Sequence, residues 1–550
     1  MTQSQPARPP RRVYSASRDN GPRPRLGSAA AAYLAAARVV TVALATLIGG
    51  CAVDQRKEVD HYRKVLEREL PTAGVDDYVP GAPLTLEHAL RLAARDNEEI
   101  ALSGENYLQA LIDKDRAAAA FLPTVALEPA YTVTDAATGQ SGSGVGTIGG
   151  FRVVGGTLQR FEAPVTSRIN LFNGFGDVAR SRRADFVADQ RRLQLLDQQA
   201  LVLLDVAQVY FQVLRSERQV EVLQGSTRVQ DERVRDTDAR QKAGLARPLD
   251  VAQTRALAAD TRVALTSARS DARNGRTTLA YLIGVPAVDG PLSDRWGQDL
   301  SPVAELPPVE SFEARAVEHR EDVRAAAARL AAARQSVSAA FSQYYPSVTL
   351  NFSAFLYREN FDDASKWTGV LDANVPIFTA GLIHADVREA WSGLRQAALL
   401  ESLVRRQAMQ DVRIAYENVS ASRARVVDLR TQADAARDAL NQAEASYKVG
   451  LATNLERLTA QSQLLNAELQ LASEGFDQAL LLLDLTRFTG RLGGRGVGNF
   501  RGSFAGTGNN FNNGLTNTGN PLGTGGDALR GSNFGNTGGT FGSGTQTGVR

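Results

Sequence analysis

The sequence predicts a mainly α-helical chain that carries transmembrane β-strands, arranged as two duplicated halves in the order helix, strand, strand, helix. Three observations support this fold class. Residues 172–284 match residues 378–490 at a constant offset of 206, without a gap. Each of these stretches contains a long run without proline, which is typical of an extended helix. Four shorter segments alternate apolar and polar residues, the period of a strand with two different faces.

The composition excludes several classes of function. The chain has 550 residues and a formal net charge of +2, so it lacks the strongly basic balance of a nucleic-acid-binding domain. Its one cysteine and four scattered histidines provide neither a disulfide framework nor the spacing of metal ligands. No nucleophile with a base, metal cluster or phosphate-binding loop stands in a suitable context. We therefore expect no enzyme activity, no cofactor and no nucleic-acid partner.

The N-terminal segment has the order of an export signal. Residues 1–28 are rich in proline and arginine, and an apolar stretch follows that ends in Ile48-Gly49-Gly50-Cys51. This tetrapeptide resembles the bacterial lipobox, whose cysteine receives a diacylglyceryl group in palmitate-bearing lipoproteins. The resemblance implies a basic leader and signal over 1–50, lipidation of Cys51 and a lipidated extension over 51–83. The alternative is that Cys51 is a lone buried cysteine.

The duplication sets the remaining boundaries. Asp205 and Gly284 of the first half correspond to Asp411 and Gly490 of the second. The segment after the second half is rich in glycine and asparagine, so it cannot bury a core and should be disordered. We predict a first structural repeat over 84–290, a linker over 291–310, a second repeat over 311–492 and the disordered tail over 493–550.

Helices are predicted to form most of each repeat. The first begins after Thr85, a plausible N-cap, and runs to about residue 122, and its equivalent spans about 311–345. No proline occurs between residues 177 and 241, which predicts one helix of about 65 residues. Apolar side chains at alternating three- and four-residue spacing indicate a coiled-coil seam along it. Gly244 and Gly450 are predicted turn points, and a shorter helix follows each.

The four alternating segments are predicted strands over about 124–134, 162–172, 347–357 and 367–378. Their lengths suit tilted transmembrane strands, although each alone would fit a soluble antiparallel sheet with one wet face. Pro164 and Pro376 remove ladder donors, so we expect them near strand ends or at bulges. Four strands cannot close a barrel, and an open edge in lipid leaves backbone groups unpaired. Several chains must therefore pool their strands.

The duplicated halves, the segment Pro376-Ile377-Phe378 before Gly381, and two Gly-Leu-Ala turns together resemble the TolC-type outer-membrane factor family over about 84–492. The resemblance implies a homotrimer whose 12-stranded β-barrel is continued by a long periplasmic α-helical barrel. It also implies an exit duct for efflux or secretion, joined to an inner-membrane transporter by a periplasmic adaptor protein. The implied location is the cell outer membrane, with a lipid anchor in its inner leaflet and the helical tube in the periplasm.

The same resemblance implies a periplasmic gate at the helix turns, where an aspartate bonds to a tyrosine and an arginine near the other turn. Asp250 and Tyr447 match this pattern, and Glu456 matches an acidic ring position. The arginine position is Ala452 and a second acidic position is Thr459, so we expect a thinner closing network. Asp250 and Glu456 also suit helix N-termini, where the helix dipole favours carboxylates. The implied adaptor-contact residues are Gly244, Leu245, Ala246, Gly450, Leu451 and Ala452.

A second hypothesis is a periplasmic coiled-coil lipoprotein scaffold without a pore, whose strands form a small soluble sheet. In the duct hypothesis the pump supplies the energy and this chain supplies a hydrated path. The two hypotheses differ in whether one face of the strands contacts lipid.

Overall fold

The computed structural model describes residues 55–72, 74–134, 158–293, 306–358 and 365–490. Cys51 lies outside the described residues, as do the predicted tail and most of the predicted linker. Helix α1, Gln55–Glu69, crosses the point between Arg63 and Lys64 at which the chain divides into two units. All other described elements belong to the second unit.

Helices form most of the second unit, in an order that repeats. Helices α4 (Gly176–Lys242) and α8 (Leu382–Lys448) have 67 residues each, a length of about 100 Å. They are followed by the 35-residue helices α5 (Pro248–Leu282) and α9 (Asn454–Phe488). Each long helix packs against the shorter helix that follows it, and α4 also packs against α9. These lengths confirm the prediction of one long and one shorter helix per repeat. The first repeat also contains α2 (Leu86–Asp96) and α3 (Glu98–Ala119), and the second also contains α6 (Val309–His319) and α7 (Glu321–Phe341).

The prediction of a single helix before each pair of strands is wrong. Asn97 and Arg320 have extended backbones, with ψ of 126° and 130°, and separate α2 from α3 and α6 from α7. The Asn97 carboxamide oxygen accepts a hydrogen bond from the Glu99 backbone N–H at 2.9 Å, which caps α3. Its NH2 group donates to the carbonyl of Leu282 at 3.1 Å. The bend is therefore tied to the end of α5, far away in sequence.

The strands form one antiparallel sheet, and its first member is interrupted. The strands are β1 (Thr124–Leu127), β2 (Ala130–Thr134), β3 (Leu158–Asn173), β4 (Ser347–Arg358) and β5 (Trp367–Asn374). Both β1 and β2 pair with β3, β3 pairs with β4, and β4 pairs with β5. The interruption falls at Glu128 and Pro129, where proline supplies no backbone donor.

The register of the sheet gives it one polar and one apolar face, as the alternation predicted. On the apolar face Leu350 lies opposite both Ile169 and Leu371, and Leu371 is 63% exposed. On the other face polar side chains of neighbouring strands are joined by three hydrogen bonds, Glu162–Arg358 at 2.7 Å, Asn170–Thr349 at 3.2 Å and Asn351–Asp372 at 3.0 Å.

The two strand prolines behave differently. Pro164 lies inside β3, next to a register shift between Ala163 and Pro164, so the expectation of a bulge is confirmed. The last strand ends at Asn374, and its predicted extension to residue 378 is wrong. Pro376 lacks an N–H and restricts the residue before it, which explains the early end. Ile377 is consequently 95% exposed.

The shorter helices end against the bends of the helices that precede the strands. Gly284 and Gly490, which are equivalent in the two repeats, have φ of 72° and 71° and follow α5 and α9. A Cβ atom placed on Gly490 would lie 2.8 Å from the carbonyl carbon of His319 and 2.9 Å from the backbone nitrogen of Arg320. Glycine is required there both for its left-handed backbone and for this close approach.

Buried arginines connect these junctions to the long helices. The Arg320 guanidinium contacts Asp322 at 2.7 Å and Asp411 of α8 at 2.9 Å, and its side chain is 6% exposed. Arg487, also 6% exposed, contacts Asp197 of α4 at 2.7 Å. Because burial outweighs the nearby positive charge of Arg487, the pKa of the Asp197 carboxyl is raised. Largely buried ion pairs thus connect the bends to the long helices.

Glu321, the first residue of α7, is expected to make stability fall as pH rises from about 4.5 to 7. Burial is the main cause that raises the pKa of its carboxyl to about 7, and Asp197 acts in the same direction. The folded chain then holds a proton that the unfolded chain releases near pH 4.5, so the loss is at most about 1.4 kcal/mol per pH unit. We expect Glu321→Gln to raise the thermal midpoint at pH 8 relative to wild type, and to do so less at pH 5.

The control for this prediction is Glu98→Gln. Glu98 opens α3 as Glu321 opens α7, but its side chain is exposed. Circular dichroism melting curves at pH 5 and pH 8 should show no comparable pH-dependent gain for this variant. Equal behaviour of the two variants would contradict the assignment of the pH effect to burial of Glu321.

Candidate functional site

The candidate site lies at the two turns that join α4 to α5 and α8 to α9. Gly244 and Gly450 have φ of 77° and 79°, and the next residues donate back to the helices that end there. Leu245 N–H bonds to the Arg240 carbonyl at 2.8 Å, and Leu451 N–H bonds to the Ser446 carbonyl at 2.9 Å. Both turns are therefore closed by the same glycine-dependent motif.

Asp250 is held by its own turn. Its carboxylate accepts hydrogen bonds from the backbone N–H of Arg247 at 3.1 Å and from the Arg247 guanidinium at 3.0 and 3.2 Å. The side-chain bond from Arg247 is the main reason that the pKa of the Asp250 carboxyl is lowered. In the described part of the chain no hydrogen bond joins Asp250 to Tyr447. Within one protomer the carboxylate of Asp250 is therefore paired with Arg247.

Tyr447 is instead bound by arginines. The Arg457 guanidinium carbon lies 4.2 Å from the centroid of its ring, and that of Arg240 lies at 5.6 Å. Both distances are within the range of cation–π attraction. Tyr447 thus connects the end of α8 to α4 through Arg240 and to α9 through Arg457.

Asn454 bridges the two turns directly. Its NH2 group lies 3.3 Å from both the backbone carbonyl of Asp250 and the hydroxyl of Thr254, and it donates to both. Its carboxamide oxygen accepts a hydrogen bond from the Arg457 guanidinium at 2.8 Å. Asn454, Arg457 and Thr254 are all buried. The site residues Asp250 and Tyr447 are therefore connected through Asn454 and Arg457.

A second connection between the long helices lies slightly farther from the turns. Arg233 of α4 bonds to Glu444 of α8 and to Gln461 of α9. Burial is the main reason that the pKa of the Arg233 guanidinium is lowered, and the positive charge of Arg457 contributes to the lowering. Arg233 and Arg457 therefore lie near each other at this end of the helices, and the Glu444 carboxylate pairs with Arg233.

Glu456 caps α9. Its backbone N–H donates to the Thr453 hydroxyl at 3.2 Å, and its carboxylate accepts from the Thr453 backbone N–H at 2.9 Å. This reciprocal pair is a capping box. The carboxylate is exposed, so capping and a position facing other chains are compatible.

The predicted adaptor-contact turns present apolar side chains to solvent. Leu245 is 79% exposed and Leu451 is 84% exposed, whereas Ala246 and Ala452 are partly covered. An added Cβ at Gly244 or Gly450 would meet no atom within 4 Å. Exposed apolar side chains on both turns are typical of a surface for another protein.

Several residues at this site were not predicted from the sequence. Arg247 could have been found, because it precedes Asp250 by three residues and this spacing brings the two side chains together at a helix start. Asn454, Arg457 and Arg233 gave no signal, because their contacts connect helices that are far apart in sequence.

Two further properties concern the described ranges as a whole. No helix in them combines the length and apolar composition needed to cross a membrane. No three histidine, cysteine, aspartate or glutamate side chains within them come together as metal ligands.

Relatives and solved structures are similar to this chain. Toluene efflux pump outer membrane protein TtgF of Pseudomonas putida is 26% identical over 329 residues, which cover 56% of this chain and 64% of TtgF. Outer membrane efflux protein BepC of Brucella suis is 25% identical and matches 58% of this chain and 70% of its own. The structure of VceC from Vibrio cholerae has a TM-score of 0.64 at 21% identity, covering 74% of this chain and 96% of VceC. The fold is thus that of solved outer-membrane channel proteins.

The family described as "Outer membrane efflux protein" matches residues 105–285 and 314–491, one match for each repeat. Together these ranges include more than half of the chain. They contain the helices α4, α5, α8 and α9 and all five strands of the sheet. The chain therefore belongs to the outer membrane efflux protein family.

Proposed function

We propose that this protein is a trimeric outer-membrane channel, the exit duct of an efflux or secretion system that an inner-membrane transporter drives through a periplasmic adaptor. The observation that carries the proposal is the sheet. Its apolar face leaves large side chains such as Val125 and Leu371 exposed, its polar face is hydrogen-bonded internally, and β5 ends the strand order. A sheet edge in lipid costs several kcal/mol per unpaired backbone group, so strands of other chains must complete it.

Three chains in a ring satisfy this requirement. The β5 edge of one chain would pair with the β1 and β2 edge of the next, which gives a closed barrel without free edges. The long helices would continue the ring as a tube in the periplasm, and Cys51, outside the described residues, would carry the lipid anchor. Family membership supports this arrangement.

The turns are the proposed gate and docking end. Asp250, Tyr447 and Glu456 would surround the closed end of the tube, and three Glu456 carboxylates near one axis would attract cations. The exposed leucines of the two turns would contact the adaptor, because desolvation of apolar side chains favours association.

The proposed membrane face is tested by substituting neighbouring strand residues. Leu371 lies on the apolar face and Val370 on the polar face of β5. Arginine on the lipid side of a barrel costs about 2–4 kcal/mol at the bilayer midplane, whereas a lumen position tolerates it. We expect Leu371→Arg to abolish trimer assembly in the outer membrane and Val370→Arg to preserve it.

The measurements are the trimer yield from detergent-extracted outer membranes and the conductance of the purified trimer in a planar bilayer. Val370→Arg is the matched control, because it introduces the same side chain one residue away. If both variants and the wild type gave a water-soluble protein without conductance, the coiled-coil scaffold would be the correct function.

A further inference from the structure

We propose that Asn454 and Arg457 form the latch that holds the two turns of one protomer together, in the place that Asp250 and Tyr447 fill in the family pattern. This inference rests on the proposed channel function. We call the set Asn454, Arg457, Thr254 and the Asp250 carbonyl the inter-turn latch. Both sides of the latch belong to the same chain, and its role is to keep the end of the tube closed until a partner binds.

The Asn454 side chain is fully committed to this contact. It is 3% exposed, its NH2 group donates to α5 and its oxygen accepts from Arg457. The Thr254 hydroxyl donates its own hydrogen to the Asp250 carbonyl at 2.7 Å, so it has lone pairs left to accept from Asn454. The two turns therefore share a small hydrogen-bond network in which every polar atom of the Asn454 side chain is paired.

Arg457 acts as the positioning residue of the latch. It is 6% exposed, and in the described part of the chain its Nε atom has no hydrogen-bond partner. Burying a cation without a paired carboxylate costs free energy. The contacts that Arg457 makes at this position are the hydrogen bond to the Asn454 oxygen and the cation–π contact with the Tyr447 ring. It thereby fixes the direction in which the Asn454 NH2 group points.

The latch has a defined breaking point. The bond from Arg457 to Asn454 is charge-assisted and measures 2.8 Å, whereas both bonds from Asn454 to α5 are neutral and measure 3.3 Å. If α8 and α9 move away from α5, the neutral bonds should break first. Arg457 and Asn454 would then stay with α9 as one unit.

The first test removes the Asn454 amide. We expect Asn454→Ala to raise the mean conductance of the isolated trimer about tenfold, which corresponds to about 1.4 kcal/mol. Thr453→Ala is the matched control, because it removes the N-cap bond of the same helix without touching the latch. Equal increases in both variants would show that a weakened helix start is responsible, and the latch would be wrong.

The second test locks the latch chemically. The double variant Thr254→Cys with Asn454→Cys is treated with a short bifunctional thiol reagent, and each single variant serves as a control for Cys51. We expect the cross-linked double variant to conduct less than the untreated one, and the single variants to be unaffected. Conductance that is high and identical with and without the cross-link would overturn the latch but leave the channel intact. If no variant and no wild-type trimer conducts, the channel function itself fails, and the latch fails with it.

Discussion

Replacing Arg320 with alanine is expected to lower the free energy of unfolding by about 3 kcal/mol. The guanidinium is 6% exposed and contacts the carboxylates of Asp322 and Asp411, which are 28% and 25% exposed. Burial acts to lower its pKa, but the hydrogen bonds to both carboxylates outweigh burial and raise it. Its loss leaves two poorly solvated carboxylates without their cation, at the bend between α6 and α7. Because both carboxylates remain partly exposed to solvent, we expect a loss of stability at the lower end of the range for breaking a buried ion pair.

The matched control is Arg437→Ala. Arg437 also belongs to α8, but it is 52% exposed and pairs with Asp434, which is 76% exposed. Exposed pairs contribute about 0–1 kcal/mol, so denaturant midpoints followed by circular dichroism should separate the two variants clearly. Equal midpoints would mean that solvent reaches Arg320 and that the bend is not held by it.

Replacing Gly490 with alanine is expected to lower the free energy of unfolding by about 3 kcal/mol. A left-handed backbone costs a non-glycine residue about 1–2 kcal/mol, and the new methyl group would press on the backbone of His319 and Arg320. Crowding of this kind adds about 1–3 kcal/mol, since backbone atoms cannot turn aside as a flexible side chain can. The end of α9 would have to separate from the bend after α6.

Gly450→Ala separates the two causes. Gly450 has a φ of 79°, close to the 71° of Gly490, but an added Cβ would meet no atom within 4 Å. Backbone strain should therefore lower the free energy of unfolding of the Gly450→Ala variant by only about 1–2 kcal/mol. Urea unfolding of both variants measures the difference, and a loss at Gly490 no greater than at Gly450 would contradict the close packing of α9 against the bend.

At the candidate site, some features could be predicted from neighbouring residues in the sequence and others could not. The positions of Asp250 and Glu456 near helix starts, and the turns at Gly244 and Gly450, follow from short-range chemistry that the sequence displays. The Arg247 partner of Asp250 also follows from a spacing of three residues. The contact of Asn454 with the Asp250 carbonyl does not, because it joins two turns that lie about 200 residues apart in the chain.

The amino-acid sequence alone was enough to predict the long helices, the shorter helices after them, the two-faced strands and the duplication. These features repeat within a few residues, so backbone geometry and apolar periodicity are enough to specify them. The bends at Asn97 and Arg320 and the contacts of Asn454 appear only in the tertiary structure. They join helices that are distant in the chain, so their energy depends on how those helices pack rather than on the residues next to them.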